Sequence, residues 1–361
     1  MNEKIFDWKV NINEVELGEI VEALRSGEIV VFPTETVYGI GADAFNGNAC
    51  KRIFEAKGRP SDNPLIVHVS DFDMLEECVQ NVSNIERRLI DNFMPGPFTL
   101  ILQKKRCIPP EVTAGLDTVA VRMPDNMIAN RIISEFGRPI AAPSANASGK
   151  PSGTKLEDIK TEFGNNVFAL IDGGSAEIGL ESTVVRVVDG VPVILRPGWV
   201  TAEEIEGVAG MVRVDEHVLH DVRSDERVLS PGMKHRHYAP KTRCVLVDIE
   251  DSMERISVLN LFVNSNVCVL GMGKRPGELK ISSYFSMGES ADEISRNIFA
   301  LLRKVDLFGY DLVLIQAVKS EGLGLAIMNR LLRTCEYNVI RSKDEVIDGS
   351  GEIRQVILKN N

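Results

Sequence analysis

Five short stretches of this 361-residue chain hold side chains that a packed core does not need. PTETVYGIGADA (33–44) mixes hydroxyls, a carboxylate, Tyr38 and glycines directly after an apolar run. KGRPSDNPLIVH (57–68) sets Lys57 and Arg59 beside a polar turn held by Pro60 and Pro64. PSANASGKPSGT (143–154) is dominated by serine, glycine, asparagine and alanine. LESTVV (180–185) and LRPG (195–198) bring Ser182, Thr183 and Arg196 to the ends of apolar runs. Small residues at strand ends let backbone N–H groups approach an anion closely. Cationic side chains beside them neutralise phosphate charge. Lys57, Arg59, Arg122 and Arg196 all lie next to such loops. The chemistry this suggests is recognition of an anionic small ligand, a nucleotide foremost. No G-x-x-x-x-G-K-[ST] loop, G-x-S-x-G elbow or H-E-x-x-H pair is present, so the common nucleotide, serine-nucleophile and zinc-protease signatures are absent.

The charge sharpens that reading. The net charge is −11. Residues 1–210 carry 20 basic and 31 acidic side chains, and the rest of the chain carries 21 of each. A chain of this balance is not a general polyanion binder, and any RNA contact would be weak and confined to a local basic patch.

Most of the candidate residues sit at the ends of apolar runs that read as strands. These are 29–32, 65–69, 98–104, 118–123, 139–143, 167–172, 182–188 and 192–196. Helical spacing marks 14–26, where Leu17, Ile20, Val21 and Leu24 share a face and Gly27 follows, and also 47–56 and 84–93. Strands outnumber helices, and many connections are too short for a crossover helix. The expectation for 1–210 is an α/β fold: a large twisted mixed sheet with helices packed on it. Residues 211–242 are polar, charged and broken by Pro231 and Pro240, and read as an interdomain linker. From 243 to 361, strand-like 244–249, 267–273, 283–288 and 312–318 alternate with helical stretches, including 291–305 with Ile294, Ile298, Leu301, Leu302 and Val305 on one stripe. That alternation predicts a smaller, Rossmann-like open α/β domain.

Six widely spaced cysteines with no C-x-x-C pair read as reduced thiols. His235 and His237 form an H-x-H pair with no nearby third ligand such as cysteine, so no protein metal site is expected. The N-terminal MNEKIFDWKV lacks the apolar segment of a secretory signal, and no run of about 18 apolar residues exists. A cytoplasmic protein without a membrane span is the expectation.

PTETVYGIG, KGRPSDNPLIVH, PGPFTLIL, AGLDTVAVRMP, IAAPSANASGKPS, ESTVV, LRPG and SPGMKHRHYAP occur in the order found in the two-domain threonylcarbamoyl-AMP synthases, and the chain resembles that family over nearly its whole length. The resemblance implies a YrdC-like domain, a linker and the family's C-terminal domain. It implies condensation of L-threonine, bicarbonate and ATP to threonylcarbamoyl-AMP and pyrophosphate, for threonylcarbamoyladenosine in tRNAs reading ANN codons. Mg²⁺ accompanies the triphosphate, held mainly by phosphates and water. The product passes to downstream tRNA threonylcarbamoyl-transfer enzymes. The resemblance places Thr36, His68, Arg122, Ala142 and Ser182 at threonine. It places Arg59, Asn63, Thr118, Ser144, Asn146, Ser152 and Arg196 at ATP, with Lys57 and Arg59 as the catalytic cations. His237 and Tyr238 would close over the nucleotide as a lid.

Overall fold

The structure, a computed structural model, describes residues 4–220 and 238–347, apart from the side chains of Asn165 and Ile347. His235, His237 and most of the SPGMKHRHYAP motif lie outside the described residues. The described chain forms two compact units, one of residues 4–148 and 152–218, the other of 149–151, 219–220 and 238–347.

The first unit is built on one eleven-stranded sheet. Its strands are β1 (Ile5–Asp7), β2 (Val30–Phe32), β3 (Gly39–Asp43), β4 (Ile66–His68), β5 (Phe98–Gln103), β6 (Thr118–Arg122), β7 (Ile140–Ala141), β8 (Ala169–Asp172), β9 (Thr183–Val188), β10 (Val191–Arg196) and β11 (Arg213–Val214). Their order is β1-β8-β2-β3-β7-β4-β6-β5-β9-β10-β11. Parallel pairs (β2 with β8, β4 with β6, β5 with β9) interleave with antiparallel ones (β2 with β3, β3 with β7, β5 with β6), so the sheet is mixed as expected. All eight apolar runs read as strands are strands here. β1, β3 and β11 are additional. β11 pairs with β10 and carries the first unit past residue 210.

Helices α1 (Glu14–Arg25), α2 (Gly47–Lys57), α3 (Phe72–Cys78), α4 (Asn84–Phe93), α5 (Pro110–Thr113), α6 (Met127–Phe136), α7 (Leu156–Phe163) and α8 (Ala202–Ala209) accompany the sheet. Helix α1 shows the local logic. Asn13 accepts hydrogen bonds from Val15 N and Glu16 N at its start, Leu17, Ile20, Val21 and Leu24 are buried, and Gly27 follows its end at φ +84°. Their apolar faces join β2, β3 and β7 in one large core. β3 runs between Phe32 and Ile140, and a Cβ at Gly41 would stand 2.6 Å from Phe32 and 2.7 Å from Ile140. Only glycine lets that strand lie so close.

The second unit has a five-stranded sheet of β12 (Arg243–Val247), β13 (Val267–Met272), β14 (Tyr284–Gly288), β15 (Leu312–Gln316) and β16 (Val339–Ile340). Its order is β14-β13-β15-β12-β16 and every pair is parallel. Helices α9 (Ser252–Leu259), α10 (Ala291–Phe308), α11 (Leu323–Thr334) and α12 (Lys343–Ile347) complete an open α/β domain. α10 buries Ile294, Ile298, Leu302 and Val305 of the predicted stripe, while Leu301 is half-buried. No helix among the described residues is long and apolar enough to cross a membrane.

Candidate active site

In the first unit, β4 and β6 run parallel with Ile66 opposite Ala120 and His68 opposite Arg122. Extending that register puts Thr118 beside Pro64, next to Asn63. Two groups of predicted residues therefore occupy opposite ends of one strand pair, about 13 Å apart at the usual rise per residue.

At the C-terminal end, Arg122 is 4% exposed. Its Nε donates to Gly96 O at 3.3 Å and its Nη1 to Thr36 Oγ1 at 2.8 Å. Thr34 folds the 33–38 loop: its hydroxyl donates to Val37 O and accepts from Thr36 N and Val37 N. With that proton committed, the Thr36 hydroxyl is the donor across the 2.9 Å contact to Thr34 Oγ1, which leaves Thr36 to accept from Arg122. Glu35 lies between the two threonines. Its Oε1 is 2.7 Å from Arg122 Nη2, both side chains being 5% exposed. The pair attracts by charge, yet the atoms are out of line for a hydrogen bond, and both Glu35 oxygens and Arg122 Nη2 lack a hydrogen-bond partner. His68 is buried beside them with Nδ1 likewise unpartnered. Burial, and then the Arg122 charge, push the His68 imidazole down to a pKa of about 3, so it is neutral at physiological pH.

A buried polar group without a partner costs free energy, and its persistence points to a ligand that supplies the missing bond. Asn63 carries the same sign at the other end of the strand pair. It is 1% exposed, and neither Oδ1 nor Nδ2 has a partner. Arg59 Nη2 donates to Asn63 O at 3.3 Å. Lys57, the last residue of α2, is tied to the serine-rich loop by Nζ donating to Ser144 O at 2.5 Å and Asn146 O at 2.6 Å. Ser144 Oγ donates to Asn146 Oδ1 at 2.6 Å. The loop is thus braced from inside by one of the predicted catalytic cations.

The ESTVV and LRPG motifs meet as neighbours. Arg196 donates to Ser182 O from Nε and Nη2 and to Ser182 Oγ at 3.1 Å. Ser182 Oγ also bonds Thr99 Oγ1 at 2.7 Å, and Ser152 Oγ donates to Glu181 Oε1 at 2.5 Å. A Cβ at Gly198 would fall 2.3 Å from Thr183 N, so LRPG can lie against ESTVV only with glycine there. Ala142 is buried, its N–H donating to Ile66 O at 2.8 Å.

The arrangement holds cations, carboxylates, hydroxyls and a neutral imidazole. It is suited to orient an anionic substrate and balance charge rather than to form a covalent intermediate. Residues 22–198 match the family described as Telomere recombination, and residues 200–335 match the C-terminal domain of threonylcarbamoyl-AMP synthase. The threonylcarbamoyl-AMP synthase of Pyrococcus abyssi is 42% identical over 346 residues, covering 94% of this chain and 98% of that protein. That of Bacillus subtilis is also 42% identical, over 92% of this chain and 96% of its own length. The chain belongs to the threonylcarbamoyl-AMP synthase family. It is therefore an enzyme of the nucleotidyltransferase kind. The crystal structure of P. abyssi Sua5 complexed with L-threonine superposes with a TM-score of 0.87 at 42% identity, over 93% of this chain and 99% of that one.

Among the predicted residues of this synthase, Thr36, His68 and Arg122 gather at one end of the strand pair, and Asn63 and Thr118 share the other. Ser144 and Asn146 lie with Lys57, and Ser182 lies with Arg196. Tyr238 has a different setting in the described structure. It packs within the second unit, stacked on Phe299 at 5.3 Å, with the Arg330 guanidinium 5.5 Å from its ring and its carbonyl accepting from Thr334 Oγ1. Glu35, Thr99 and Glu181 were not singled out from the sequence. Glu35 and Glu181 each stand in a quoted motif, beside Thr36 and Ser182, and that adjacency was the available signal. Thr99, inside an apolar strand, gave none.

Proposed function

We propose that the first unit condenses L-threonine, bicarbonate and MgATP into threonylcarbamoyl-AMP and pyrophosphate. The observation that carries this reading is the pair of ligand-hungry ends on one strand pair: Arg122, Glu35 and His68 at one, Asn63 at the other. A small zwitterion fits the first, and a nucleotide reaching Asn63, Arg59 and Thr118 fits the second. Arg122 binds the threonine carboxylate, because a guanidinium offers parallel N–H groups to both oxygens. Thr36, His68, Ala142 and Ser182 complete that end, and the bound L-threonine of the P. abyssi enzyme supports the choice of amino acid. Arg59, Ser144, Asn146, Ser152 and Arg196 engage the nucleotide, with Lys57 bracing the loop and neutralising phosphate.

The threonine amine captures carbon dioxide from bicarbonate to give an N-carboxylate. That carboxylate attacks the α-phosphorus of ATP, and pyrophosphate leaves. Among the described residues no three His, Cys, Asp or Glu side chains are grouped to hold an ion. Magnesium arrives with ATP, held mainly by phosphate oxygens and water. The product serves threonylcarbamoyladenosine formation in tRNAs reading ANN codons, through downstream transfer enzymes in the cytoplasm. The SPGMKHRHYAP segment, with His237 and Tyr238, acts as a lid over the nucleotide. Incubating the pure protein with ATP, Mg²⁺, bicarbonate and labelled threonine should give pyrophosphate and a threonine-dependent adenylate. Release of ADP and phosphate instead would overturn the reading.

A further inference from the structure

Glu35 has no place in the roles assigned so far, yet it is the most conspicuous charge in the site. It is 5% exposed, and neither carboxylate oxygen accepts a hydrogen bond. Its position is enforced by backbone: Ile178 N donates to Glu35 O at 2.9 Å, Gly179 N donates to Thr36 O at 3.1 Å, and Thr34 closes the turn around it. The carboxylate therefore has no easy route to water. Arg122 Nη2 supplies charge at 2.7 Å without an aligned N–H, so the cation and the anion stand together with hydrogen-bonding capacity unused on both.

We propose that Glu35 binds the α-ammonium group of the amino acid substrate. The inference rests on the reading of Arg122 as the carboxylate-binding residue. An α-amino acid carries its carboxylate and ammonium on one carbon, a few ångströms apart. Arg122 and Glu35 present the opposite charges at matching separation in a site with little water. An ammonium has three N–H donors, the groups that the two Glu35 oxygens lack. Binding the zwitterion leaves the buried charge balanced, whereas an acid without an amine would add an unpaired negative charge beside Glu35. The same contact selects α-amino acids over hydroxy acids and holds the nitrogen, which attacks carbon dioxide only after the ammonium has passed a proton to the Glu35 carboxylate.

Calorimetric titration tests this with three ligands: L-threonine, 3-hydroxybutyrate, which lacks the ammonium, and threoninamide, which lacks the carboxylate. The full-length wild-type protein should bind 3-hydroxybutyrate about tenfold or more weakly than threonine. Glu35→Gln should weaken threonine by a similar factor and no longer distinguish it from 3-hydroxybutyrate, while ATP binding is retained. The proposal is overturned if wild type binds 3-hydroxybutyrate as tightly as threonine, or if Glu35→Gln weakens both ligands equally, which a purely structural support of Arg122 would produce. The wild-type comparison decides even if the variant does not fold. Failure of the Arg122 reading shows separately, as threoninamide binding as tightly as threonine.

Discussion

His68 and Arg122 face each other in register across the parallel strands β4 and β6, an imidazole and a guanidinium side by side out of water. Protonating the histidine would place two cations in one buried site, and the fold holds it neutral.

This has a consequence for acid stability. The folded-state pKa of about 3 lies below the unfolded value near 6.5, so the unfolded chain binds the extra proton first. The stabilisation is fully present above pH 6.5 and is lost as pH falls toward 3. Between pH 7 and pH 5 wild type should lose about 2 kcal/mol that His68→Asn does not lose. Urea denaturation of both proteins at the two pH values measures the difference, and identical slopes would contradict it.

Arg122→Ala should weaken threonine by about 2–5 kcal/mol, because it removes the partner of a buried charge. The KM for ATP should change less, since two of the nucleotide residues, Asn63 and Thr118, lie at the far end of the strand pair. Steady-state kinetics varying each substrate in turn would reveal equal losses if the residue were purely structural.

Serine should be a poorer substrate than threonine without being excluded. One methyl group in a fitted pocket is worth about 1–3 kcal/mol of discrimination. Competition between the two labelled amino acids gives the ratio of kcat/KM directly, and a ratio of one would mean the methyl group is not recognised.

Gly198→Ala should destabilise the first unit by about 1–3 kcal/mol, because its Cβ would meet the Thr183 amide at 2.3 Å. The strand ends must then separate, which moves Ser182 from Arg196. Thermal melting reads the first effect, and a rise in both substrate KM values reads the second.

The lid assignment is tested by His237→Ala combined with Tyr238→Ala. Turnover should fall, and ATP should no longer protect residues 230–240 from protease. Tyr238→Ala alone should also lower the melting temperature of the second unit, since the ring is stacked on Phe299.

Much of this architecture was legible in the sequence. A long apolar run such as FTLILQ became β5, because a strand buried on both faces needs no alternation. β3 was hidden, because GIGAD has the composition of a loop, and its glycines are there for close packing against Phe32 rather than for a turn. Helix α6 carried a full signature, with Asn126 as N-cap, Ile128, Ile132 and Ile133 buried and Gly137 in the left-handed conformation, yet it stands among strands that dominate a reading by run length. In the site, the motif residues were visible as chemistry. Which of them lacked partners was not, since that depends on the placement of Thr34, Gly96 and the 178–179 backbone.

The strand order also bears on how this unit comes into being. β1, near the N-terminus, pairs with β8, made some 160 residues later, and β5 waits for β9. Arg196 and Ser182 reach their places only when that late strand is inserted beside β5. A nascent chain emerging from the ribosome therefore exposes unpaired strand edges until most of the first unit has been synthesised. Such a topology has high contact order and folds slowly. The catalytic arrangement is a product of the final pairing steps, and a chain halted before β9 would hold Arg122 and His68 without an active site around them.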